Sequence, residues 1–217
     1  MGRDVSPSRA KDIAAAQRQR GFWLRTLHQW HWISAAASLA GMLLFAITGI
    51  TLNHAGSIEA SPQVERKAAT LPPKVLAALG TREEGEAPLP ARVEDWLDAQ
   101  LRLDLSGRPG EWSPEEVYIS LPTPGADAWL SIHRETGEVE YERTDRGWIA
   151  YFNDLHKGRN SGTAWRWFID VFAVACVLFC LTGLLLLQMY ARQRRSTWPW
   201  VGLGIVLPVL LALLFIH

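Results

Sequence analysis

The sequence predicts a membrane protein: three transmembrane α-helices, with one small α+β domain inserted between helices 1 and 2. Three observations predict it. Apolar runs long enough to cross a bilayer occur three times, a long polar segment separates the first two, and that segment carries helical and then alternating patterns. Whole-chain averages hide this, because 22 Lys and Arg balance 22 Asp and Glu over 217 residues.

The first span is placed at 27–54, where ISAAASLAGMLLFAITGITL (33–52) holds no charge. The second is placed at 164–190; WFIDVFAVACVLFCLTGLLLL (167–187) contains one acid, Asp170. The third is placed at 198–217, and WPWVGLGIVLPVLLALLFI (198–216) contains no charge. About 20 apolar residues span the hydrocarbon core, and lipid offers no partner for unpaired backbone groups, so each run must be helical. The first run starts too late and lacks a small-residue cleavage site, which argues against a removed signal peptide.

Basic residues set the expected orientation. The leader, 1–26, carries Arg3, Arg9, Lys11, Arg18, Arg20 and Arg25 against Asp4 and Asp12. The loop at 191–197 carries Arg192, Arg194 and Arg195 and no acid. Both are expected in the cytoplasm. The segment 55–163 has 12 Lys and Arg against 19 Asp and Glu, so it and the C-terminus are expected on the outer side. Trp30, Trp32, Trp165, Trp167, Tyr190, Trp198 and Trp200 mark the boundaries as an aromatic belt does. Cys176 and Cys180, one turn apart within the second span, read as packing residues.

Within the outer segment, residues 55–90 hold five prolines and read as an extended linker, with a short helix at KVLAALG. ARVEDWLDAQLRL spaces Val93, Trp96, Leu97, Leu101 and Leu103 as an amphipathic helix. EEVYISL and ADAWLSIHR alternate as strands around TPGA, and ETGEV turns into EVEYERT. A helix on a small antiparallel sheet accounts for that order. His133 reads as a surface strand residue.

The helix, the strands and the TGEV turn resemble a PepSY domain. LHQWHW before span one and NDLHKG before span two are similar to the borders of the PepSY-associated transmembrane helix family. The pairs Thr48–Gly49 and Thr182–Gly183 strengthen the likeness, which covers roughly residues 20–195. Larger members of that family include inner-membrane reductases that carry b-type haem and reduce ferric siderophores on the periplasmic side. The resemblance therefore implies a bacterial inner-membrane protein, with 55–163 and the C-terminus periplasmic.

Histidines carry the expected chemistry. Haem iron accepts neutral imidazole nitrogens, and two histidines from different helices are a common axial pair. His54 and His156 fall at the two mouths of the inserted segment and are expected to ligate the iron of an outer haem b. Gly49, Ala55, Gly56 and Gly158 leave room for a flat macrocycle. His28 and His31 cluster at the inner end of span one; either is a candidate ligand for a second haem with Met189. Lys157, Arg159 and Arg166 are candidate partners for propionates, and Arg166 is also spaced to pair with Asp170. His217 is expected as a frayed end.

The function expected from these residues is single-electron transfer to a ferric siderophore or another iron chelate, with a quinol or a redox partner as donor. The acidic segment suits a neutral or cationic chelate. Two other readings stay open: a non-enzymatic, membrane-anchored binding or inhibitory module, and an accessory subunit of a metal-uptake system holding a bare ion. No basic cluster beyond those that set orientation points to nucleic acid. Small residues in the spans permit a homodimer.

Overall fold

The computed structural model describes residues 7–59, 61–80, 82–105, 107–191 and 193–216, which divide into two compact units. One joins the chain up to Leu43 with everything from Ile169 onward; the other runs from Leu44 to Phe168. Arg3, Asp4, Arg192 and His217 lie outside the described residues.

The first unit is helical. α1 (Pro7–Asn53) is one helix of 47 residues, more than twice the roughly 20 that a crossing needs. Much of the basic leader is thus helical and continuous with the first span. AAAQRQR consists of strong helix formers, and after Pro7 the next proline is Pro62, so nothing breaks the helix. α5 (Gly162–Met189) and α6 (Trp198–Phe215) follow, the latter after a 3-10 turn at Arg195–Thr197. These helices are long and apolar enough to cross a bilayer, so the chain is a multi-pass membrane protein. Ser34 and Ser38 are buried, and each turns its hydroxyl back to a carbonyl four residues earlier. Gly41 is covered by the Phe172 ring: a Cβ there would lie 2.4 Å from it. Small residues let apolar helices approach closely where no hydrophobic effect drives them together. Among the described residues of α6, none is buried.

The second unit carries a six-stranded sheet, ordered β1-β6-β5-β4-β3-β2, with every neighbouring pair antiparallel. Its strands are β1 (Gln63–Thr70), β2 (Gly85–Pro88), β3 (Pro109–Trp112), β4 (Glu116–Ser120), β5 (Ala126–His133) and β6 (Glu138–Asp145). Two helices fall between strands, α2 (Pro73–Leu76) and α3 (Ala91–Leu101), and α4 (Gly147–Lys157) follows β6. α3 buries Val93, Leu97 and Leu101, one residue per turn on a single stripe. They join alternate strand residues, Val117 and Ile119 of β4, Leu130 and Ile132 of β5 and Val139 of β6, in one core. Trp112 closes the β3 end, donating Nε1–H to the Ala87 carbonyl at 2.8 Å beneath the guanidinium groups of Arg82 and Arg134. At this unit's sheet edge, Gln63 opposes Asp145 at the start of β1 and the end of β6.

One expectation changes here. Residues 63–70 and 85–88 lie within the stretch expected as an extended linker, yet both are strands. β1 is an edge strand, mostly exposed on both faces, so it has no need of the period-two apolar signal that reveals a half-buried strand.

Candidate functional site: histidine–threonine clasps

α4 is the element that brings the outer candidate residues together. Its aromatic residues, Trp148, Tyr151 and Phe152, are exposed, and its buried residues are polar: Asn153 and Asp154 are 7% and 4% exposed. Asp154 Oδ2 accepts the Gly125 N–H at 2.9 Å and the Arg146 guanidinium at 2.9 Å. That ties the helix to the β4–β5 turn. Gly125 has φ +73°, and a Cβ there would fall 2.7 Å from Tyr151 Cα, so the position needs glycine for both conformation and space. On the opposite flank, Thr51 Oγ1 of α1 donates to Asn153 Oδ1 at 2.7 Å. Gly158 caps the helix in the left-handed conformation, and the chain enters α5 within a few residues. There Trp165, expected only as a headgroup anchor, donates Nε1–H to the Leu155 carbonyl at 2.9 Å.

His156 sits in the last turn of α4, with Nδ1 2.6 Å from Thr48 Oγ1. The Thr48 hydroxyl has one proton and lies 2.8 Å from the Leu44 carbonyl, which can only accept. With that proton on Leu44, the imidazole donates Nδ1–H to Thr48 and the lone pair falls on Nε2. The ring lies 4.7 Å from that of Phe45, and its Cε1 is 3.8 Å from where a Gly49 Cβ would be. The gap at Gly49, expected to admit a macrocycle, is thus bordered by the histidine ring itself.

The same grouping recurs in the other unit. His31 Nδ1 lies 3.0 Å from Thr182 Oγ1, whose proton goes to the Leu178 carbonyl at 2.7 Å. The ring stacks on Phe179 at 4.6 Å and 16°, and its Cε1 is 3.3 Å from a Cβ placed on Gly183. Sequence reasoning missed the threonines as partners of these histidines. The signal was present: FAITG (45–49) and FCLTG (179–183) share the pattern Phe-x-x-Thr-Gly, and in both the phenylalanine, threonine and glycine surround one imidazole.

Other candidate residues stand elsewhere. His54 is exposed and donates Nδ1–H to its own helix at the Ile50 carbonyl, 3.0 Å away. Six residues along a helix is a rotation of 600°, so at the end of α1 position 54 lies about 120° around the axis from Thr48, where His156 is held. His28 donates Nδ1–H to the Leu24 carbonyl at 2.7 Å and meets Tyr190 edge-on at 6.2 Å. Met189 contributes its backbone carbonyl to Arg20, at 3.1 Å. Arg166 donates to Thr163 Oγ1 at 3.3 Å, while Asp170 is exposed. His133, expected at the surface of a strand, ends β5 half-buried.

Beside α4 lies a half-open cleft of about 460 Å³, within the range of small-molecule sites. Leu52, Ile58 and Ile149 give it an apolar wall, and Arg146, Lys157 and Arg159 give it cations. Arg146 is engaged by Asp154, and Arg159 approaches Asp127 at 3.9 Å. Neither His54 nor His156 lines the cleft.

The donor chemistry of these residues fits haem iron taken one ligand at a time. His28 and His54 donate Nδ1–H to a backbone carbonyl, and His31 and His156 set Nδ1 against a threonine hydroxyl; a ring whose Nδ1 is the donor keeps Nε2 as the lone pair, the state in which histidines ligate metals. His54 and His156 bond to different oxygens of α1, the Ile50 carbonyl and the Thr48 hydroxyl. Among the described residues there is no group of three or more His, Cys, Asp or Glu side chains able to hold a bare metal ion.

Three apolar helices, an antiparallel sheet domain inserted between the first and second, and a histidine–threonine clasp in each unit define a multi-pass membrane protein with an inserted α+β domain. The chain belongs to the family described as "Putative PepSY_TM-like", which matches residues 22–217. No curated protein and no solved structure matches it.

Proposed function

We propose that the chain is a b-haem protein of the bacterial inner membrane that passes single electrons to a ferric chelate on the face where the inserted domain, read as PepSY-like, sits. The observation that carries this reading is the shared placement of the boundary histidines, each with Nδ1 bonded to an oxygen of a helix, which turns Nε2 toward the role of ligand. His156 would hold an outer haem, and His31 or His28 an inner one. Haem supplies the one-electron couple, and the chain's part is to orient and shield it. The Thr48 and Thr182 hydroxyls fix the direction and tautomer of two imidazoles. Lys157 and Arg159, on the cleft, offer charge-assisted hydrogen bonds to carboxylates of a propionate or of the chelate. A quinol or a redox partner would supply the electron. The basic leader supports a cytoplasmic N-terminus, with the inserted domain periplasmic.

A second reading rests on the same clasps. His31 and His156 are each built into a helix contact, and a membrane-anchored binding or inhibitory module needs nothing more from them. Absorbance of the full chain purified from haem-replete cells separates the two. The redox reading expects a Soret band that shifts on dithionite, and loss of the outer component in His156→Ala. Colourless protein would overturn that reading and leave the binding module.

A further inference from the structure

α4 is inverted for a helix of a water-soluble domain. Trp148, Tyr151 and Phe152 are 70%, 44% and 37% exposed, while the opposite side buries Asn153 and Asp154. At 100° per residue the three aromatics fall within an arc of about 100°, one continuous face. Their rings touch each other: Trp148 meets Phe152 at 6.3 Å, and Tyr151 meets Phe152 at 5.5 Å, both edge-on.

What covers this face follows from how deep the helix is held. His156 bonds to Thr48, five residues before the last helical residue of α1, Asn53. That is about 7 Å back along the helix from its end, at 1.5 Å per residue. Thr48 belongs to the uncharged run 33–52, so the C-terminal turn of α4 lies alongside the final turns of a membrane span. Thr51 holds Asn153 in the same way, and Trp165 holds Leu155 from the first turns of α5, the next span. α4 is thus fastened between the end of one crossing helix and the start of another, and its free side is aromatic.

We propose that α4 is an interfacial helix, lying in the lipid headgroup layer with Trp148, Tyr151 and Phe152 seated among phospholipids. Tryptophan and tyrosine favour that layer, because an apolar ring body and a polar tip are both satisfied there. A helix with one apolar and one polar face lies along the interface for the same reason. The helix then fixes the height of the sheet above the bilayer.

Spin labels test this in the full chain, reconstituted in nanodiscs of mixed phosphatidylcholine and phosphatidylglycerol. With Cys176→Ser and Cys180→Ser as background, labels are placed through Trp148→Cys, Tyr151→Cys and, as a water-exposed control on β6, Glu140→Cys. Collisions with oxygen, relative to a water-soluble nickel chelate, should be several-fold higher at 148 and 151 than at 140. Nickel accessibility equal to the control overturns the proposal. So does shielding from both reagents, which would mean that protein covers the face. A second measurement keeps the native cysteines: lipids brominated near the headgroup should quench a component of tryptophan emission that Trp148→Phe removes. An unchanged quenching profile counts against the proposal.

Discussion

Replacing Thr48 with valine removes one hydroxyl at nearly constant volume and leaves the His156 Nδ1–H facing an apolar wall. Thr48 is 5% exposed and the bond is 2.6 Å long, so water does not readily replace the lost partner. A donor stranded in this way costs about 1–3 kcal/mol in a soluble protein. In a bilayer the penalty shrinks, because the unfolded chain also finds partners there; measured cycles average about 0.6 and reach about 1.7 kcal/mol. We expect Thr48→Val to lower stability by about 1–2 kcal/mol. A double-mutant cycle with His156→Ala should give a coupling near 1 kcal/mol, a roughly fivefold change in the folding equilibrium. Equilibrium unfolding of the full chain in mixed micelles, titrated with a denaturing detergent, reads both numbers. The parallel cycle, Thr182→Val with His31→Ala, should couple less, since that bond is 3.0 Å long and His31 also rests on Phe179. Single-mutant effects that add to within about 0.3 kcal/mol at Thr48 and His156 would refute the clasp.

Four further outcomes are expected from unfolding measurements. Gly125→Ala should destabilise by about 2–4 kcal/mol, combining about 1 kcal/mol of left-handed strain with overpacking against Tyr151. Gly107→Ala, where φ is +67° and nothing lies within 4 Å, should cost only the strain. Asp154→Ala removes the acceptor shared by Gly125 and Arg146 and should cost about 2–3 kcal/mol, with lowered thermal stability of the whole chain. Leu130→Ala, at a fully buried core position, should cost about 2–5 kcal/mol and reports on the sheet domain independently of the spans.

Elements whose burial follows their pattern were legible in the sequence. The apolar runs announced the three long helices, Val93, Leu97 and Leu101 announced α3, and alternation with the TGEV turn announced the β5–β6 hairpin. β1 was hidden because an edge strand wetted on both faces has no reason to alternate. α4 was hidden for a different reason: its aromatic side points outward and its polar side inward, so apolar periodicity points to the wrong partner. The boundary histidines were legible, but the threonines that hold His31 and His156 were not. An imidazole needs an acceptor for its N–H before it needs a metal, and a threonine one turn inside a span supplies it.

The register of β1 against β6 has a consequence for how such a chain is assembled. Gln63 and Asp145, the first and last strand residues of the sheet, sit opposite each other, roughly 5 Å apart at their Cα atoms. More than eighty residues therefore depart and return through one narrow doorway. A cassette with its ends together can be spliced between two helices, enlarged or removed, while the connection it interrupts still has to bridge only a hairpin's width.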